Sequence, residues 1–173
     1  AAIEGEQLNV ESLRSSVAHR LALADAPGAD RSADGLVQVM QDALTNHGAV
    51  LDLDRLCRWQ SALFPGGTSG ITRIAVGRLR EHLDVMQIVS GALGREVVHY
   101  EAPASVQVAA EMDRLLAWFE HTRPAAGAAA MNGIVRAALV HLWFESIHPF
   151  EDGNGRLGRA LADMALAQDM HAR

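Results

Sequence analysis

The sequence contains no lysine; its non-histidine cations are fifteen arginines. That absence excludes two classes of nucleotide enzyme. A Walker A loop needs Gly-Lys-Ser/Thr to reach the phosphates, and a protein-kinase site needs a strand lysine. Phosphate chemistry in this chain must therefore use arginine, backbone N–H groups and metal. Cysteine is scarce as well. Cys57 stands alone, so no internal disulfide framework exists, and its place on an apolar helical stripe marks it as core packing. No apolar run approaches the roughly 18 residues a membrane-spanning helix needs. A net charge of −6 argues against a general nucleic-acid binder.

What is present suits one compact domain over residues 1–173. Hydrophobic residues make up 49% of the chain, and a chain of this size buries roughly 70% of its unfolded surface. There is no internal repeat. The chain opens at Ala1 without a methionine and stops at Arg173 inside a helical pattern, so it is expected to be a piece of a longer protein.

Helical periodicity dominates. Asn9 is a plausible N-cap for a helix carrying Val10, Leu13, Val17 and Leu21. After a loop at 25–30, Ser32 or Asp34 starts a helix with Leu36, Val37, Met40 and Leu44, ending at Gly48. Asp52 caps the next, with Leu53, Leu56, Gln60 and Leu63 on one face. Ser105 or a neighbour starts another, with Val108, Met112, Leu115, Leu116 and Phe119. A further apolar face runs through Ile134, Val135, Ala138, Leu139, Leu142 and Trp143 toward Ile147. The last begins at Arg156 and carries Leu157, Leu161, Met164 and Ala165. One region breaks the helical period. Residues 85–89 and 97–101 alternate and are rich in β-branched and aromatic types, with glycines between them, which predicts a β-hairpin over about 85–101.

The chemistry concentrates in His148-Pro-Phe-Glu-Asp-Gly-Asn-Gly-Arg-Leu-Gly-Arg159, between the last two apolar patterns. Gly153 and Gly155 can take positive φ and turn N–H groups inward, making an anion nest. The nest opens onto a helix start, where unpaired N–H groups and the helix dipole also favour negative charge. Arg156 and Arg159 stand three apart, on one helix face, and planar guanidinium forks suit phosphate oxygens. Asp152 offers a hard oxygen for Mg²⁺, and His148 can act as a general base near neutral pH.

This run resembles the signature of the Fic (filamentation induced by cAMP) family, His-x-Phe-x-(Asp/Glu)-Gly-Asn-Gly-Arg-x-x-Arg, at every defined position. The resemblance implies a mainly α-helical bundle with a small β-hairpin flap beside the active-site turn. It also implies a protein adenylyltransferase that moves AMP from Mg-ATP to a hydroxyl side chain of a target protein. By position, His148 would take the target's proton, and Asp152 would hold Mg²⁺. Gly153, Asn154 and Gly155 would line the phosphate site, Arg156 would bind the α/β-phosphates and Arg159 the γ-phosphate. Phe150 would anchor the turn in the core. The target's Ser, Thr or Tyr segment would dock along the flap edge. Residues 1–9 resemble the family's inhibitory motif, (Ser/Thr)-x-x-x-Glu-(Gly/Asn), through Glu4 and Gly5, although the Ser/Thr slot would precede Ala1. Glu4 would then pair with Arg159 and hold the enzyme off. The expected setting is a bacterial cytoplasm, with no membrane and no direct nucleic-acid partner; oligomeric state stays open.

Other readings compete. Relatives transfer UMP, phosphocholine or phosphate, and some remove AMP. Glu145 and His148 have the Glu-x-x-His spacing of di-iron bundles, with His141 one turn earlier, but no second such pair occurs. A non-enzymatic helical regulatory module would explain the acidic surface, yet not the convergence of His148, Asp152 and two arginines on one anion site.

Overall fold

The computed structural model describes residues 2–3, 6–7, 10–20, 31–82, 86–92, 95–124 and 131–172. Strands β1 (Ala2–Ile3) and β2 (Glu6–Gln7) pair antiparallel ahead of helix α1 (Val10–Arg20). Helices α2 (Arg31–Thr45) and α3 (Leu53–Leu63) follow, then a short ribbon of β3 (Thr68–Ser69) and β4 (Thr72–Arg73). A second ribbon pairs β5 (Gln87–Ser90) with β6 (Val97–Glu101). Helices α4 (Ser105–His121), α5 (Gly133–Ile147) and α6 (Asn154–Ala172) complete the chain. The fold is mainly α, as the helical periods predict, and the β3–β4 and β5–β6 ribbons are largely exposed. Among the described residues no helix is long and apolar enough to cross a membrane.

Local signals explain the helix starts. The Asp52 carboxylate accepts the Arg55 N–H at 2.7 Å and caps α3. Asn132 does the same for α5, accepting from Ile134 and Val135. Ser105 begins α4, but its hydroxyl turns to the His82 carbonyl instead of capping its own helix. The expected start of α6 at Arg156 moves two residues earlier, to Asn154. Residues 25–30 and Asn9 lie outside the described residues.

Val39, Leu56, Met112, Leu115, Phe119, Val140, Phe144, Leu161 and Met164 form the centre of one core. Helix α6 buries Leu157, Leu161, Met164 and Ala165, as its period predicts. Helix α5 does not follow its predicted face. It buries Ala137, Val140, Phe144 and Ile147, while Ile134, Val135, Leu139 and Leu142 are exposed. The helix is apolar nearly all the way round, so periodicity alone could not choose a side. The true inner stripe is also interrupted by a charge, Arg136.

Three arginines close helix ends. Arg55 donates to the Asp42 and Asn46 carbonyls at the end of α2. Arg136 donates to the Phe119 carbonyl and the Thr122 hydroxyl at the end of α4. Arg80 donates to the Ile147 and His148 carbonyls at the end of α5. Helices α2 and α3 meet at Gly35, where an added Cβ would stand 1.7 Å from the Ala62 carbonyl oxygen.

Candidate active site

The turn between α5 and α6 brings most of the predicted residues together. Its first member, His148, caps α5 in the left-handed conformation, φ 50° and ψ 61°. It is the one described non-glycine residue with positive φ. A residue with a Cβ costs about 1–2 kcal/mol there, so the surroundings must hold it. They do: its N–H reaches the Phe144 carbonyl at 2.9 Å, and Arg80 holds its carbonyl at 2.7 Å.

The imidazole is half-buried. Burial holds its pKa below the ordinary value, and the positive charge of Arg80 acts in the same direction; a hydrogen bond to the Glu145 backbone and the Asp152 carboxylate oppose them. The net direction favours the neutral ring at pH 7. The bond to Glu145 fixes its orientation, which a base needs.

Phe150 is fully buried and packs against Phe144, with ring centroids 6.4 Å apart. Asn154 closes the turn behind it. Its carbonyl oxygen accepts the Phe150 N–H at 3.0 Å and its amide donates to the Phe150 carbonyl at 2.8 Å. The Asn154 side chain thus sets the turn's shape, and what it can offer a phosphate is its backbone. Gly153 has φ 87°, and an added Cβ would lie 2.9 Å from the Phe64 ring. Gly155 does not share that conformation; it is a buried residue of α6. The concave turn expected from two left-handed glycines rests on Gly153 and, unexpectedly, His148. The ladder of α6 begins with the Leu157 N–H on the Gly153 carbonyl, so the N–H groups before it point out of the helix start.

The two motif arginines have different environments. Arg156 is buried, its guanidinium over the Phe64 ring at 4.8 Å and 3.9 Å from an Asp152 oxygen. Arg159 is exposed. Asp152 is half-buried; one carboxylate oxygen accepts its neighbour's N–H from Gly153, and the other accepts the Ser69 hydroxyl. Glu151 accepts the Ala75 N–H at 2.8 Å. Glu4 and Gly5 lie outside the described residues.

Among the described residues no group of three or more His, Cys, Asp or Glu could hold a metal. Within that set, His141 and Glu145 approach to 3.8 Å on α5. Mg²⁺ asks for less. It is commonly bound through one or two carboxylates with phosphates and water completing the shell. Asp152, held by Ser69 at the mouth of a helix start, fits that need.

The family model described as Fic/DOC matches residues 50–166. The chain belongs to the Fic/DOC family. This Fic domain is 32% identical over 120 residues to a uridine 5'-monophosphate transferase of Xanthomonas campestris pv. campestris (strain 8004), covering 69% of this chain and 21% of that protein. Its fold is shared with a Fic domain containing signaling protein from Bacteroides thetaiotaomicron VPI-5482. There the TM-score is 0.65 at 20% identity, over 96% of this chain and 59% of the other. A Fic family protein from Desulfovibrio desulfuricans G20 matches with TM-score 0.59 at 24% identity, over 92% and 43%. The chain thus spans about a fifth to three fifths of the length of these relatives.

Several residues of this Fic site carried no sequence signal. Phe64 floors Arg156 from the end of α3, and Ser69 reaches Asp152 from the β3–β4 ribbon. Arg80 sits in an ordinary charge run, Arg78-Leu-Arg80-Glu81. Tyr100, whose hydroxyl donates to the Ser146 carbonyl at 2.7 Å, could have been noticed as the chain's one tyrosine.

Proposed function

We propose that this Fic domain is a nucleotidyltransferase that moves a nucleoside monophosphate from a nucleoside triphosphate to a hydroxyl side chain of a protein, with AMP from ATP as the first reading. One observation carries it. The α5–α6 turn sets a neutral, oriented imidazole on one side and a helix start with the buried Arg156 on the other. His148 accepts the hydroxyl proton as the oxygen attacks the α-phosphorus, and pyrophosphate leaves. Arg156 and the N–H groups at the start of α6 hold phosphate oxygens and stabilise charge developing on them. Asp152 would hold Mg²⁺, which would supply positive charge against the phosphates. Arg159, exposed at the next turn, would take the γ-phosphate. The β5–β6 ribbon, whose residues are all exposed, would hold the target's extended segment along an edge.

UMP transfer is the second reading, favoured by the name of the Xanthomonas relative. The test is incubation with Mg²⁺, cell lysate and α-labelled ATP or UTP in parallel, followed by mass spectrometry. An AMP adduct supports the first reading and a UMP adduct the second. No nucleotide adduct on any protein sinks both.

Autoinhibition through Glu4 belongs to the same proposal. A glutamate paired with Arg159 would compete for the γ-phosphate ligand and misplace the triphosphate for attack. Glu4→Gly should then raise self-modification strongly in matched assays, whereas Arg159→Ala should not activate. A Glu4→Gly variant no faster than its parent would end that part of the proposal.

A further inference from the structure

We propose that Arg80 and Tyr100 are positioning residues that couple the β5–β6 ribbon to His148, so that the ribbon helps to aim the imidazole as well as offering an edge. The end of α5 presents four successive carbonyls, and these two residues hold all of them. The Tyr100 hydroxyl donates to Ser146 at 2.7 Å. The Arg80 guanidinium donates to Ile147 at 3.3 Å and to His148 at 2.7 Å, and the Arg80 backbone N–H donates to Pro149 at 2.9 Å. No further turn of helix is available to satisfy these groups. The contacts also brace a left-handed histidine, a conformation that residues with a Cβ hold only with outside support.

The same two side chains grip the ribbon. Tyr100 is a residue of β6, paired across to Ile88. Arg80 donates to the Pro103 carbonyl at 2.5 Å and to the Ser105 hydroxyl at 2.9 Å, where the chain leaves the ribbon for α4. Ala102, buried between them, closes the ribbon's foot through its N–H to the Met86 carbonyl at 2.9 Å. Arg80 is itself fully buried, so its fork cannot swing away into solvent. A chain laid along the ribbon therefore acts on the imidazole through two side chains. The catalytic purpose of the link rests on the transferase reading above; the link itself does not.

Ring-labelled histidine NMR tests it without any transfer. The His148 signal among eight histidines is assigned by its loss in His148→Gln. Tyr100→Phe removes one hydroxyl from an exposed residue and should leave the fold intact. It is expected to shift or broaden the His148 signal while His47 and His171, stacked 4.4 Å apart at the far ends of α2 and α6, stay in place. Arg80→Lys, which keeps charge and loses the fork, should move the signal further. In self-modification with α-labelled ATP or UTP, Tyr100→Phe should lower kcat by roughly tenfold with the nucleotide KM unchanged, the signature of misplacement rather than lost binding. A His148 signal unmoved by Tyr100→Phe overturns the coupling, whatever happens to transfer. A parent that transfers nothing, with a His148 signal that still responds to Tyr100→Phe, sinks the transferase reading and leaves the coupling standing.

Discussion

Helix α4 stops at Thr122 against Arg136, and helix α5 stops at His148 against Arg80. Both arginines are fully buried, and both donate to the last carbonyls of a helix. At the end of α4 the cap residue is right-handed, φ −90°, and the charge closes on the core. Arg136 stacks on the Phe119 ring at 4.1 Å and reaches Gln168 at 2.9 Å; Gln168 in turn donates to the His47 carbonyl. Burial, with the nearby Arg123 charge, brings the Arg136 pKa down to about 10, still well above neutrality. At the end of α5 the cap residue is left-handed and is the candidate base. The same device therefore does two jobs. At α4 it ties helices to one another. At α5 it supports a cap for which glycine would be easier, at the position of the candidate base.

The largest expected effect breaks the second job. His148→Ala should keep nucleotide binding, measured by titration calorimetry, and lower transfer by about 10²–10⁴-fold. Arg156→Ala should do the reverse, weakening nucleotide affinity by about 1.5–3 kcal/mol for a lost charge-assisted contact. Unaltered affinity there would remove Arg156 from the phosphate site. Arg136→Met addresses the first job. It strips donors from the Phe119 carbonyl and Gln168 in the core, at about 1–3 kcal/mol per stranded buried group. Urea unfolding should show that loss, and the pH dependence of transfer should stay where it was.

A finer test compares two substitutions at one position. His148→Gly and His148→Ala both remove the imidazole, but only glycine accepts φ near +50° without a Cβ penalty. The glycine variant should be the more stable by about 1 kcal/mol. Equal stability would mean that the left-handed cap carries no strain. The smallest effect is in pH. The proposed transfer needs neutral His148, whose pKa is lowered by burial and by Arg80. The rate should therefore rise with pH through a limb below the ordinary imidazole value of 6.5 and level off above it. Arg80→Gln, lacking the charge, should move that limb upward; Arg136→Gln should not.

These contrasts mark what the sequence could and could not say. Helices α3, α4 and α6 were legible because polar caps or a strict apolar period define each of them. The β5–β6 ribbon was legible from alternation. The buried side of α5 was not, because hydrophobic residues surround that helix and the inner stripe includes Arg136. Within the site, the motif residues were legible as a dense local run. Asn154 could be placed in the turn but not given its partner, since its bonds to Phe150 depend on the turn's final shape. Ser69, Arg80 and Tyr100 act across long sequence separations. Nothing local distinguishes an arginine that caps a helix nearly seventy residues on from one that faces water.

The floor under Arg156 has one more consequence. Residues Ala62–Leu63–Phe64 are pressed by Gly35 from α2 and by Gly153 from the turn, and neither glycine leaves room for a single carbon. Mutational tolerance around the site should accordingly follow these contacts rather than distance from a ligand. A methyl group at Gly35, on a helix that contributes no side chain to the turn, must push α2 and α3 apart along the backbone that carries Phe64. A screen that scored only pocket-lining positions would pass over it, although it belongs with the substitutions that move Phe64 under Arg156.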